Sequence, residues 1–410
     1  MKNFNRSQKC LITVHMLKMI MDLFISIFLT SFILSQTPDN ILGQGLVNIG
    51  IFYLTWYIVY GILEFVCSIF VDKGNRVLFL QIAIVINTLL IIALVFWGEQ
   101  ISKWLVLAGI ICGIVDAFYY SSYLVVRTEV AGSASVDKFS MLITILTNII
   151  KVVVPVILGY IIDASTLSSI AVYIVIISVI QLIISLFIKV DKKIRSKFEF
   201  RKFLNYLKTN KEDSSKLKYS YISSIPSGFR TTYHSLVVIL TIYIFTTNTL
   251  LGACTSIFAL LTIICLMLFK SVDNNKKVNK LAIYILIGFF PVASVIVASF
   301  LTNKVTLIIL NFALTLSSYF TDYLGNFERD AIIEILHKEE FFAEHQVLNE
   351  EIQVAGRILS FATYILVGLT QNFTIFLLML IAFMLFNPFK LLMLYKQRVV
   401  RRNLEGKPLV

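Results

Sequence analysis

Apolar stretches of about twenty residues recur along this chain, separated by short polar segments, and that rhythm leaves few folds open. A bilayer core takes about 20 helical residues to cross, and backbone inside it must close its own hydrogen bonds, which a helix does. The stretch from Leu11 to Ser35 is representative, an apolar run interrupted by Lys18 and Asp22. Of 410 residues 58% are hydrophobic and 15% charged, against about 45–50% and 25% in soluble domains. A soluble fold built from them would show water more apolar surface than stays in solution. The chain reads as a polytopic membrane protein.

Breaks at charges, Gly, Pro and Asn predict twelve helices, over 13–35, 46–70, 77–97, 104–126, 139–162, 168–189, 221–246, 249–269, 281–302, 305–326, 348–370 and 374–396. With the N-terminus inside, 29 of the 36 Lys and Arg residues fall in segments on that side and two, Lys103 and Lys304, on the other. This bias predicts a multi-pass protein of the cell membrane with both termini cytoplasmic. It also accounts for the net charge of +12 without nucleic acid as a partner; anionic membrane lipid is the expected contact. The basic start MKNFNRSQKC leads into a stretch without a small-residue cleavage site, which reads as a retained span and not a signal peptide. The five cysteines show no metal-ligand spacing, so no disulfide framework, zinc site or cofactor is expected. No phosphate-cradling Gly-x-x-x-x-Gly-Lys-Ser/Thr is present and no nucleophile–base arrangement stands out, so the chain reads as no enzyme.

The longest polar stretch, 190–219, is expected to be a basic cytoplasmic linker loop between a six-helix bundle over 1–189 and a second over 220–410, the latter with a cytoplasmic tail. Its middle fits either a solvated linker or a surface helix turning Phe198, Phe200, Phe203, Leu204 and Leu207 towards lipid. The stretch from Glu328 to Glu351 reads as an amphipathic cytoplasmic helix with solvated charges, and its His337 and His345 match no metal-ligand pattern.

The halves echo one another. Asp72 in FVDKGNR matches Asp273 in SVDNNKK, Lys18-x-x-x-Asp22 matches Arg230-x-x-x-His234, and Lys151 matches Arg357, at offsets of 201, 212 and 206 residues. Three ordered matches point to a duplicated six-helix unit.

On these residues the chain resembles the major facilitator superfamily of secondary transporters. SIFVDKGNR, Ser68 to Arg76, is similar to that family's loop-two pattern Gly-x-x-x-Asp-Arg/Lys-x-Gly-Arg/Lys-Arg/Lys: Asp72, Lys73 and Arg76 match in kind, Ser68 stands for the leading Gly, and the Gly-basic spacing is shortened. VPVILGY, around Pro155 and Gly159, resembles the Gly/Pro-rich fifth helix of antiporter members. The resemblance implies two pseudo-symmetric six-helix bundles, alternating access by rocking, and a cavity lined mainly by spans one, four, seven and ten. It implies a gating role for Asp72, Lys73 and Arg76, and within the family it points to bacterial efflux-type carriers.

A charge at mid-membrane costs a few kcal/mol and needs a partner or a wet cavity. Asp116 and Lys151 both fall near mid-depth of consecutive spans, which predicts an ion pair between them, either as a structural bridge or as a titrating gate. Asp22, Asp116 and His234 are the proton-coupling candidates. Lys151, Arg230 and Arg357 are substrate or charge-pair candidates, although Lys18 and Arg230 have the alternative of snorkelling, and Arg357 that of pairing with Glu350 or Glu351. Tyr119 and Tyr123 on span four and Tyr319 and Tyr323 on span ten suit an amphipathic ligand or ordinary helix packing. The function expected is proton-coupled efflux of an amphipathic or anionic organic substrate by a monomer. A lipid or glycolipid flippase is the alternative within transport, and an intramembrane enzyme or scaffold the one outside it.

Overall fold

The computed structural model describes residues 4–37, 40–73, 76–131, 136–164, 167–190, 198–244, 248–273, 279–301, 303–336 and 339–405. They are helical throughout, with no strand among them. The chain forms two compact units, Met1–Lys197 with Phe245–Ile257, and Phe198–Ile244 with Phe258–Val410. The first holds α1 (Arg6–Leu23), α2 (Thr30–Ser35), α3 (Leu46–Lys73), α4 (Arg76–Trp97), α5 (Leu105–Ala131), α6 (Val136–Ala164) and α7 (Leu167–Ser185). The second holds α8 (Phe200–Thr209), α9 (Lys211–Ile244), α11 (Lys280–Phe300), α12 (Lys304–Ile335), α13 (Phe342–Thr370), α14 (Phe373–Met384) and α15 (Phe386–Leu404). The boundary between the units falls within α10 (Asn248–Asp273), after Ile257.

The helix surfaces are inverted relative to a protein in water. Phe96, Phe300 and Leu286 are 83%, 85% and 73% exposed, whereas Ser122, Ser178, Gln181, Thr262 and Ser317 are fully buried. Lipid tails explain both: they accept apolar side chains without penalty, and polar side chains are kept away from them between helices. In the first unit Gln181 donates to the Val14 carbonyl at 2.9 Å, and Thr88 and Ser178 share a hydrogen bond of 2.6 Å. Among the described residues seven stretches are long and apolar enough to cross a bilayer, and four more, Ile145–Ile161, Val172–Ser185, Gly252–Cys265 and Lys304–Ser318, are apolar but shorter. The span expected at 221–246 is helical within α9 and falls in neither group.

Helix ends depart from hydropathy where capping decides them. α1 starts at Arg6, seven residues before the expected span, because Asn5 and Gln8 form a reciprocal capping box of 2.8 and 2.9 Å. The expected linker loop is largely helix: Asn210 closes α8 and accepts the Asp213 amide at 3.2 Å to open α9. Phe203 does not face lipid; it is fully buried, with its ring 5.4 Å from that of Phe341. Nor is 328–351 one solvated helix. α12 ends at Ile335 and α13 begins at Phe342. Glu328 is buried and takes a two-point ion pair from Arg401 at 2.7 and 3.2 Å, with burial still lifting its carboxyl above the usual range. His345 is fully buried and lies 2.9 Å from the Tyr221 hydroxyl. The last expected span divides into α14 and α15, where Pro388 lacks the amide that would bond back to Met384.

Two glycines on one face of α5 let it lie against the backbone of α3. A methyl group at Gly109 would lie 2.6 Å from the Phe52 carbonyl, and one at Gly113 2.6 Å from that of Trp56. Gly113→Ala should therefore prise α3 from α5 and lower stability by about 1–3 kcal/mol, read as a fall in midpoint on thermal unfolding in detergent. Gly325→Ala, where the nearest atom is 3.9 Å away, should leave the midpoint unchanged or raise it.

Candidate functional site

Helical spacing puts His15, Lys18 and Asp22 on one face of α1, and Asp116, Tyr119, Tyr120 and Tyr123 on one face of α5. Where these faces meet, the Lys18 ammonium bridges two carboxylates. It bonds Asp22 one turn along its own helix and Asp116 at 2.9 Å across the bundle. The outer carboxylate oxygens have donors of their own, Tyr120 Oη to Asp22 at 3.1 Å and Trp56 Nε1 to Asp116 at 3.1 Å. The close crossing at Gly113 brings Trp56 within reach. Lys18 is 2% exposed, while the side chains of Asp22 and Asp116 keep 25% and 14% of their surface. Immediately after Asp22 the helix widens into a π-helical turn, Phe24–Leu29, an irregularity common at functional sites.

The charges do not balance, since one ammonium faces two carboxylates. At 2.9 Å and an effective dielectric of about 20, one such contact is worth roughly 6 kcal/mol, which is the order of the cost of drying each ion. One contact therefore roughly offsets the drying of one ion and not of a pair, and the second carboxylate leaves a surplus negative charge.

Aromatic rings enclose the cluster. The ammonium lies 5.5 and 5.6 Å from the ring centres of Tyr119 and Tyr120. His15, also buried, stacks on Tyr123 at 4.2 Å and places Nδ1 3.3 Å from the Tyr119 hydroxyl. On α3, Tyr53, Trp56 and Tyr57 stack with ring centres 5.5 and 5.9 Å apart.

The structure distributes the predicted residues unevenly. Asp22 and Asp116 come together, but the cation of Asp116 is Lys18 and not Lys151, which lies half-buried on α6. The expected Asp116–Lys151 pair fails because α5 packs its Asp116 face on α1 and α3. Arg357 pairs with Glu350 at 2.7 Å. Arg230 donates to the Ser318 carbonyl at 3.1 Å and lines a small polar cavity in the second unit, beside four serines of α9 at 220, 223, 224 and 227. Tyr119 and Tyr123 belong to the α5 face just described, and Arg76 opens α4 with its carbonyl accepting the Ser122 hydroxyl. The side chains of His234, Tyr319, Tyr323, Asp72 and Lys73 lie outside the described residues. Among the described residues no group of three or more His, Cys, Asp or Glu could hold a metal ion. His15 and Trp56 were not singled out in the sequence. His15 repeats the Lys18–Asp22 face one turn earlier, whereas nothing local marks Trp56.

Residues 18–324 match the family model of the Major Facilitator Superfamily. Among solved structures the chain is similar to the crystal structure of a bacterial homologue of the iron transporter ferroportin in its inward-facing state. The two superpose with a TM-score of 0.66 over 96% of this chain and 98% of that one, at 13% identity, a likeness of fold alone. No curated protein matches the chain.

Lys18→Met should leave two carboxylates facing each other without their cation and cost about 3–5 kcal/mol. Adding Asp22→Asn should restore part of that loss, because one charge is then removed from each side of the account. Thermal unfolding of the single and double variants checks the sign. Equal losses in both would separate the lysine from the carboxylates.

Proposed function

The chain belongs to the major facilitator superfamily, and from that premise we propose that it is a proton-coupled efflux transporter of an amphipathic or anionic organic substrate, with Asp22 and Asp116 as its coupling carboxylates. The observation that carries this reading is the single lysine shared by two carboxylates. With both carboxylates ionised the cluster holds one surplus negative charge, and a single proton cancels it. A proton on Asp22 leaves Lys18 to Asp116 and so favours the bond between α1 and α5. A proton on Asp116 leaves Lys18 to Asp22, and the bond then stays within α1. Proton occupancy thereby biases how firmly two helices are joined, which is the two-state element that coupling requires. Uptake of that proton in exchange for substrate fits an antiporter, and alternating access supplies the route.

The aromatic side chains beside the cluster support the substrate class. The rings of Tyr53, Trp56, Tyr57 and Tyr120 offer apolar faces with polar edges, which suits an amphipathic molecule. For an anion, Arg230 is the described site candidate that lines a cavity, and its guanidinium matches carboxylate or phosphate geometry. The substrate named for the ferroportin homologue is not carried over, because 13% identity conveys fold and not cargo.

Purified protein in liposomes enclosing a pH-sensitive dye tests the coupling. Addition of amphipathic organic anions and cations from a panel should move protons in wild type, and Asp22→Asn or Asp116→Asn should reduce that signal at least tenfold. Movement of any panel compound with unaltered proton flux in both variants would overturn the assignment of these carboxylates.

A further inference from the structure

Lys18 itself shows what kind of group the cluster in the first unit holds. An alkylammonium lies there between two carboxylates, with two tyrosine ring centres 5.5 and 5.6 Å from its charge. Two carboxylates can neutralise two such charges, and the fold supplies one. Nor are their oxygens saturated. Each aspartate accepts one bond from Lys18 and one from a ring donor, Tyr120 for Asp22 and Trp56 for Asp116, whereas a carboxylate offers about four lone-pair sites.

The unfilled sites are most accessible at Asp22. Its side chain keeps 25% of its surface, against 3% for that of Lys18, and Tyr120 beside it is half-buried. Among the described residues no second cation pairs with either carboxylate. The ionisable groups that act most on Asp22 are Lys18, Asp116 and Tyr120. α7, which packs on α1, carries no charged residue. Lys151 of α6 makes no ion pair with Asp22, and Arg127 stands eleven residues beyond Asp116 on α5, about 16 Å along a helix. The walls then choose among cations. A hard metal ion takes about six or more oxygens, and among the described residues no group of three or more His, Cys, Asp or Glu could hold one. Aromatic faces attract an organic ammonium, while a surplus carboxylate repels an anion.

Resting on the proton-coupling reading, we propose that the exported molecule is a monovalent amphipathic ammonium whose charge docks on the Asp22 carboxylate in place of the proton. This narrows the amphipathic class to its cationic members and sets aside the anionic ones. Docking sends the proton of the neutral carboxyl to water, and the ammonium takes over its task of cancelling the surplus charge. Proton and substrate therefore exclude each other at one site. One proton exchanges for one cation, and the cycle moves no net charge across the membrane.

The test uses the full chain and three probes built on one ring: benzyltriethylammonium, benzenesulfonate and benzyl alcohol. None of them titrates near neutrality, so none carries protons through a bilayer by itself. In detergent and weak buffer, saturable binding of benzyltriethylammonium, followed by tryptophan fluorescence, should release about one proton per cation bound. Its apparent Kd should rise about tenfold per pH unit of acidification once Asp22 is protonated. The sulfonate and the alcohol should release none. Asp22→Asn should weaken cation binding at least tenfold and abolish the release, with Asp22→Glu retaining both. If Asp22→Asn does not fold, the proton count and the ranking of the three probes on wild type decide alone. In proteoliposomes, exchange of the cation for protons should be indifferent to a potassium-diffusion potential. Proton-coupled movement of benzenesulfonate but not of the ammonium would sink this proposal and leave the coupling carboxylates standing. Movement of the ammonium without protons would strike the coupling reading and this proposal with it. No saturable binding of the ammonium, binding without proton release, or exchange driven by the potential counts against the proposal alone.

Discussion

Lys18 holds its ammonium out of solvent between carboxylates from two helices, and much of the first unit is arranged around that contact. An ammonium there is tolerable only if its partners stay in place. Asp22 is fixed by the helix it shares with Lys18. Asp116 depends on packing: Gly109 and Gly113 let α5 lie against the backbone of α3, and Trp56 then orients the far carboxylate oxygen. A side chain larger than hydrogen at Gly113 would move the indole and the carboxylate together. The geometry of the charged cluster is thus set by a close crossing of two helices that carries no charge itself.

The aromatic enclosure follows from the same logic. A dry ion needs neighbours that do not compete for its hydrogen bonds, and tyrosine and tryptophan supply ring faces to the cation and single directed donors to the anions. Tyr120 and Trp56 each give one such donor, whereas Tyr119 turns its hydroxyl to His15. His15 thereby ties the cluster's aromatic wall back to α1, one turn before Lys18.

What the sequence disclosed and what it withheld divide along sequence distance. The all-helical membrane fold was legible because lipid forces apolar runs of one length, and so was the family, through the loop-two residues and the 6+6 pattern. The α1 pair was legible because four residues is one helical turn. The true cation of Asp116 was not, because Lys18 is 98 positions away and depth along a helix says nothing of which face a residue occupies. Lys151 was matched by depth alone, while the Asp116 face of α5 lies against α1 and α3. Short-range polar chemistry also decides helix ends that hydropathy does not register. Asn5, Asn210 and Pro388 moved helix ends that hydropathy had placed by apolar content alone, and the apolar face of α8 found protein where amphipathicity suggested lipid.

The proposed repeat gives these two sites a common frame. At an offset of 212 residues Arg230 stands where Lys18 stands, and His234 where Asp22 does. The cationic position is kept in both halves, but its surroundings are not. Around Lys18 the chain places two carboxylates; beside Arg230 it places a second cation and amides. One setting balances its cation with carboxylates of its own unit, and the other places its cation beside hydroxyl and amide side chains of a polar cavity. The first arrangement makes the charge state of the cluster depend on a proton, because its surplus is a carboxylate. The second holds a guanidinium that cannot shed its charge at physiological pH, so protons do not switch it. Divergence at the flanking positions, and not at the cation itself, is what would give two copies of one helical unit different electrostatic settings.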